Sequence, residues 1–236
     1  MVEFVRICSI LGAGIAMGMG AIGSAIGEGM IAMQATAALG RQPSASAKLL
    51  RTMIISQAVT ETAAIFALVV SLLLVFKGEG TTFIKGISFI AAGITIGFGT
   101  IGAGLGAGLP GSSTMRGIGR QPENSDVLTI QMIIGQAVTQ TSTIFALTIS
   151  LILVVLDSSG GVLKSFAILG AGVAMGFGAI GPGIGDGLVA LNANRSVGRN
   201  PIYMGLLTRT MIIGQAITET TDIYAIVVSL MLIFVV

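Results

Sequence analysis

The 236-residue sequence has no tryptophan, no histidine and a single cysteine, Cys8. Without histidine and with one thiol, the chain offers no familiar His or Cys metal centre and no internal disulfide framework. Charge is almost as scarce: 9% of residues are Asp, Glu, Lys or Arg, and the net charge is only +2. No run of Lys and Arg interleaves with aromatics, which excludes nucleic acid as a partner. What remains is apolar. A hydrophobic fraction of 53% and a mean hydropathy of +0.98 lie outside the range of soluble domains and place the chain in lipid. Its 35 glycines concentrate in apolar runs, where membrane helices use small residues to pack closely.

Compared with itself at an offset of 79 residues, the chain aligns GRQP at Gly40 to Pro43 with GRQP at Gly119 to Pro122 and GRNP at Gly198 to Pro201. Three copies fill the sequence, which predicts hairpins over residues 1–78, 79–157 and 158–236. The apolar stretch from Ile10 to Ala21 behind Arg6 has the look of a signal peptide, but its recurrence in the later copies argues against cleavage.

Each copy holds a Gly-rich apolar stretch, a short polar loop with proline, and a second apolar stretch, both long enough for a hydrocarbon core of about 30 Å. Lipid requires every backbone polar group to be satisfied within the segment, and barrel alternation is absent, so the runs are helices. The expected fold is therefore an all-α membrane protein with six transmembrane helices in three tandem hairpins. Arg41, Lys48, Arg51, Arg116, Arg120, Arg195, Arg199 and Arg209 flank the polar loops, against Arg6, Lys77, Lys85 and Lys164 at the opposite ends. The positive-inside rule puts the loops in the cytoplasm.

Acids inside apolar helices are costly and mark candidate sites. Five qualify: Glu28 and Asp186 in first helices, Glu61 and Glu219 in second helices, and Asp222 one turn beyond Glu219. Glu28 and Glu61 are about equally far from the loop centre, so at about 1.5 Å per residue they reach similar depths and can face each other. The same count pairs Asp186 with Glu219, while the middle copy has Ala107 and Gln140 there. Two carboxylates close together in a dry setting cannot both stay charged, which describes a reversible cation or proton site. The bland alternative is a protonated pair that only ties the helices together. The flanking stretches Gln57-Ala58-Val59-Thr60-Glu61-Thr62 and Gln215-Ala216-Ile217-Thr218-Glu219-Thr220 surround each glutamate with oxygen ligands suited to a hard cation such as Na⁺. Read alone, Thr62 and Thr220 fit backbone bonding within the helix equally well.

Two motifs mislead. Gly18 to Gly23 satisfies GxGxxG, as do Gly97 to Gly102 and Gly176 to Gly181, but the dinucleotide fingerprint needs a preceding strand in a βαβ unit. Pro110 and Pro182 fall in first helices of the second and third copies without a counterpart in the first, and are expected to be ordinary kinks rather than the broken helices of a transporter site.

Together, the glycine ladder (Gly12, Gly14, Gly18, Gly20, Gly23, Gly27, Gly29), the Arg-Gln-Pro loop and the Gln-Ala-Val-Thr-Glu-Thr stretch resemble the c subunit, or proteolipid, of rotary ATP synthases. The resemblance covers essentially the whole chain. It implies a non-catalytic rotor subunit whose hairpins assemble into a homo-oligomeric ring within the membrane lipids, first helices inside. Glu61 and Glu219 match the ion-carrying position, where an arginine of the stator a subunit displaces one Na⁺ or H⁺ per hairpin. Loop residues Arg41, Gln42, Pro43, Arg120, Gln121, Pro122, Arg199, Asn200 and Pro201 match the contact with central-stalk subunits. No organic cofactor is implied, and the location implied is a prokaryotic plasma membrane.

Sodium-binding members share each site between adjacent hairpins. They use a first-helix Gln or Glu, the glutamate, a carbonyl two residues earlier and the following hydroxyl. Glu28, Val59, Glu61 and Thr62 fit that pattern, and Asp186, Ile217, Glu219, Thr220, Thr221 and Tyr224 fit it more fully, which favours Na⁺ over H⁺. Most members with this loop motif are single hairpins, whereas this chain fuses three. Gln140 cannot titrate, so two ions per three hairpins are expected, with Val138 and Thr141 free to complete a neighbour's site. A transporter or channel working alone and a passive membrane scaffold remain readings from other classes, and ring assembly separates them from a rotor.

Overall fold

The computed structural model describes residues 1–156 and 160–236, and among them it contains helices and no strand. The first copy is α1 (Val2–Arg41), a 3-10 turn (Pro43–Ala45) and α2 (Ser46–Lys77). The second is α3 (Phe83–Arg120), a 3-10 turn (Pro122–Asn124), α4 (Ser125–Thr139) and α5 (Thr141–Val155). The third is α6 (Val162–Gly178), α7 (Ile180–Arg199), a 3-10 turn (Pro201–Tyr203), α8 (Met204–Thr218) and α9 (Thr220–Phe234). Joined end to end, α4 with α5, α6 with α7 and α8 with α9, and counted with the 3-10 turn before each second helix, the helices make six spans of 34 to 40 residues. At about 1.5 Å per residue even the shortest reaches about 50 Å, so the ends project beyond the hydrocarbon. The expected hairpin boundary at 78/79 falls between α2 and α3; the one at 157/158 lies outside the described residues.

The three loops repeat one geometry. Gln42, Gln121 and Asn200 take φ near −139° (−138°, −140° and −139°), and their N–H groups cap the carbonyls of Ala38, Gly117 and Ser196. Proline follows at the first 3-10 position, where no backbone N–H is needed.

Each hairpin is tied by the same bonds. Ser71, Ser150 and Ser229 donate to the carbonyls of Ala13, Ala92 and Ala171 at 3.0, 2.9 and 2.9 Å. At the end opposite the loops, Arg6, Lys85 and Lys164 donate to the carbonyls of Val75, Val154 and Ile233. A cation there satisfies free carbonyls at a helix C-terminus and favours its dipole.

First helices form one layer, with α3 between α1 and the α6–α7 span; second helices form the other. Glycine sets the spacing. A side chain at Gly27 would run into the backbone of Gly104, and one at Gly106 into the backbone of Gly183. The outer layer exposes large apolar side chains such as Ile54, Leu72 and Ile213 to the surrounding lipid.

Of the two helix prolines, only Pro182 coincides with a break. The helix interrupts at Ala179, and the missing Pro182 N–H leaves the Gly178 carbonyl without its partner four residues on. Helix α3 runs continuously through Pro110, whose own carbonyl accepts from Asn194 Nδ2 at 3.2 Å.

Candidate ion-binding site

The acids lie where the first and second layers meet. Gln57, Gln136 and Gln215, four residues before the acidic position, donate Nε2 to the carbonyls of Glu28, Ala107 and Asp186 at 3.4, 2.8 and 3.2 Å. This bond brings the two acid-bearing turns of each hairpin to one depth. Glycine just before the first-helix acid permits the approach: a Cβ on Gly27, Gly106 or Gly185 would stand 2.9, 2.7 or 2.5 Å from the methyl of Thr60, Thr139 or Thr218. Glu28 lies within electrostatic reach of Glu61, and Asp186 within reach of Glu219 and Asp222.

Contacts between hairpins then run in one direction. The hydroxyl of Thr141, in the middle hairpin, donates to the Glu219 carboxylate of the third. One copy earlier, Gln140 Nε2 donates to the Val59 carbonyl of the first hairpin at 3.1 Å. Gln136 and Gln215 reach back in the same way, to the carbonyls of Ser56 and Gly135 at 3.2 and 3.1 Å. Each second-helix acid or amide thus meets oxygens of the hairpin before it. Sequence spacing places Val59 and Thr62 with Glu61; in the chain, Val59 serves Gln140, and Thr62 bonds back to Ala58 at 3.3 Å.

The helix relaxes at this level. Helices α4 and α8 end immediately before Gln140 and Glu219, and the freed carbonyls of Val138 and Ile217 accept from Thr141 and Thr220 hydroxyls at 2.7 Å each. Copy one stays continuous through Glu61. The joints carry no proline, and nothing in the sequence flags them.

At the chain's two ends the pattern is left open. Glu61 is exposed, and no hydrogen bond to its carboxylate occurs among the described residues. On the last hairpin Ile217, Thr221 and Tyr224 are exposed and Thr220 is half-buried.

Asp222 and Asp186 are fully buried. Ser142 Oγ donates to Asp222 Oδ2 at 2.5 Å; among the described residues no well-formed hydrogen bond reaches Asp222 Oδ1 or either oxygen of Asp186, though Thr218 stands close enough to act on the Asp186 carboxylate. The corresponding pair at the junction of hairpins one and two is Ala63 with Thr143, whose buried hydroxyl is unpartnered. The Ser142–Asp222 contact therefore distinguishes the second junction, and sequence spacing alone assigned it no role. Buried polar groups of this kind call for water or an ion.

The loop residues Arg41, Arg120 and Arg199 are exposed at one end of the bundle. Lys48 links two loops by donating to the Pro122 carbonyl at 2.9 Å.

Comparison with known proteins agrees with this architecture. The sequence profile of the family described as the ATP synthase C subunit matches residues 11–74, 90–153 and 169–232, at the 79-residue period of the repeats. The ATP synthase c subunit of Petrotoga mobilis is 50% identical over 68 residues, 29% of this chain and 71% of the relative. That of Mesomycoplasma hyopneumoniae strain 7448 is 51% identical over 81 residues, 34% of this chain and 77% of the relative. Three helical hairpins in tandem, each matched in turn, establish that the chain belongs to the ATP synthase c subunit family, as a non-catalytic membrane component of the rotor ring with three fused hairpins.

Proposed function

We propose that in the rotor this chain carries Na⁺ rather than H⁺ and loads two ions. The observation that carries the reading is the hydrogen bond from Thr141 to the Glu219 carboxylate across a hairpin junction. With Asp186 and the Val138 carbonyl it supports a set of oxygens that suits a hard monovalent cation. Thr221 and Tyr224 lie on the other flank of the third hairpin, and by the 79-residue register Ile217 and Thr220 face Glu61 and Glu28 of the next chain. One site then lies within the chain and one between chains. The middle hairpin carries no ion, because the Gln140 amide occupies the position that Glu219 holds one copy later.

In this reading the first helices line the inside of the ring, and an arginine of the stator a subunit displaces the ion as each acid passes. The loops face the cytoplasm of a prokaryotic cell and grip the central stalk through Arg41, Gln42, Pro43, Arg120, Gln121, Pro122, Arg199, Asn200 and Pro201. Fewer ions per turn means fewer per ATP, which favours pumping against a steep gradient.

Carbodiimide labelling of the purified ring with and without Na⁺ tests the reading. Protection of Glu61 and Glu219 by millimolar sodium near neutral pH is the expected result. Equal labelling at every sodium concentration assigns the site to protons.

A further inference from the structure

The loop end of the first-helix layer contains a basic cleft that ion carriage does not use. It opens between α3 and α7, with a volume of ≈ 440 Å³, and Arg116, Arg120, Arg195 and Arg199 line it. Gly117 and Gly198 line it between the arginines. Beneath, buried Asn194 locks the helices together through Thr114 Oγ1 at 2.9 Å and the Pro110 carbonyl.

Register makes the cleft particular to one junction. Arg116 and Arg195 occupy equivalent positions, as do Arg120 and Arg199, but the first copy has Ala37 and Arg41 there. Only the α3–α7 pair brings two stacked arginines from each side. At the α1–α3 junction Arg116 meets Gln34, donating Nε to its side-chain oxygen at 2.8 Å.

Among the described residues none of these four guanidiniums pairs with a carboxylate; the ion pair present is Arg51 with Asp126 at 3.7 Å. Four cations gathered without an acid form a field that selects an anion, and guanidinium forks match phosphate oxygens bidentately. Depth then favours one source of phosphate. The inner pair, Arg116 and Arg195, lies four residues or about 6 Å nearer the membrane than the outer pair. A lipid headgroup reaches that level from the membrane side, whereas a soluble partner would have to thread past the outer pair. At about 30 Å³ per water, the cleft has room for a glycerophosphate with several waters.

We infer that this cleft binds the phosphate of an anionic phospholipid headgroup, one per chain. The inference goes beyond ion carriage and does not depend on which ion is carried.

Native mass spectrometry of the intact ring in detergent, titrated with phosphatidylglycerol, phosphatidylcholine or inorganic phosphate, tests it. One phosphatidylglycerol retained per chain is expected, with phosphatidylcholine washed out. The R116Q/R195Q ring is expected to weaken retention at least about tenfold, since each lost charge-assisted bond costs about 1.5–3 kcal/mol. Carbodiimide labelling of Glu61 and Glu219 reports that this ring is intact, and R209Q, outside the cleft, leaves retention unchanged. Should the double variant fail to assemble, R195Q alone carries the same comparison. Unchanged retention in the cleft variants overturns the inference. So does equal weakening by R209Q, or binding of inorganic phosphate as tightly as the lipid. Loss of stalk-subunit binding with lipid retention intact would reassign the cleft to a protein.

Discussion

Gln140 Nε2 lies 3.1 Å from the carbonyl oxygen of Val59, so an amide of the middle hairpin occupies, toward the first hairpin, the position that the Glu219 carboxylate holds toward the middle one. A neutral donor there satisfies the carbonyl without any ion. In the proposed reading the middle copy is closed by its own side chain, at the position where the other two carry Glu61 and Glu219.

Restoring the acid is the direct test of that closure. In Gln140→Glu the donor to Val59 is lost and an acid stands beside Val59 and Thr62. Carbodiimide-reactive glutamates, counted by intact-mass measurement, are expected to rise from two to three per chain. A count that stays at two would mean that access, and not the amide, silences the middle hairpin.

The direction of contact predicts unequal effects of equivalent threonines. Thr141→Ala removes the hydroxyl that reaches Glu219, and a hydrogen bond to a charged group contributes about 1.5–3 kcal/mol. The sodium concentration protecting Glu219 is expected to rise about tenfold or more, with Glu61 unaffected. Thr220→Ala should do the reverse. Peptide mapping of the labelled sites reads both, and effects confined to Glu61 in Thr141→Ala would reverse the assignment.

Close packing of first helices predicts a different failure. A Leu at Gly183 must enter the backbone of Gly102 and Ala103, and overpacking of this kind costs about 1–3 kcal/mol or more. Gly183→Leu is expected to abolish the closed oligomer in mild detergent. Gly205→Leu, whose new side chain would meet open space at a position where the other copies carry Ala47 and Asp126, is expected to assemble normally. Size-exclusion chromatography separates the two outcomes.

The helices, their number and the depth of the acids were legible in the sequence because lipid leaves the backbone few choices. An acid at Glu28, Glu61, Asp186 or Glu219 stands out against apolar neighbours at any register. Partnership across hairpins was not legible. Spacing along one helix groups Val59 with Glu61, but which carbonyl meets which side chain depends on how neighbouring hairpins are offset, and that offset is set by glycine contacts between first helices. The same holds for Ser142 and Asp222, which are 80 residues apart. The joints at Gln140 and Glu219 escaped for another reason: hydroxyls of Thr141 and Thr220 stabilise them, and a threonine in that place suits an unbroken helix equally well, as Thr62 demonstrates.

The ordered sequence of contacts also gives the chain a sense, like an arrow, with the Ile217 and Thr220 face open at one end and Glu61 open at the other. Arrows close into a circle only head to tail, so in a ring of this chain alone, read as proposed, the hairpin total is a multiple of three and the ion-free position recurs at every third place. Such a rotor would not turn at an even pace. Its stepping would carry a built-in limp, two driven strides and one coasted, written into the gene by fusion rather than left to chance assembly.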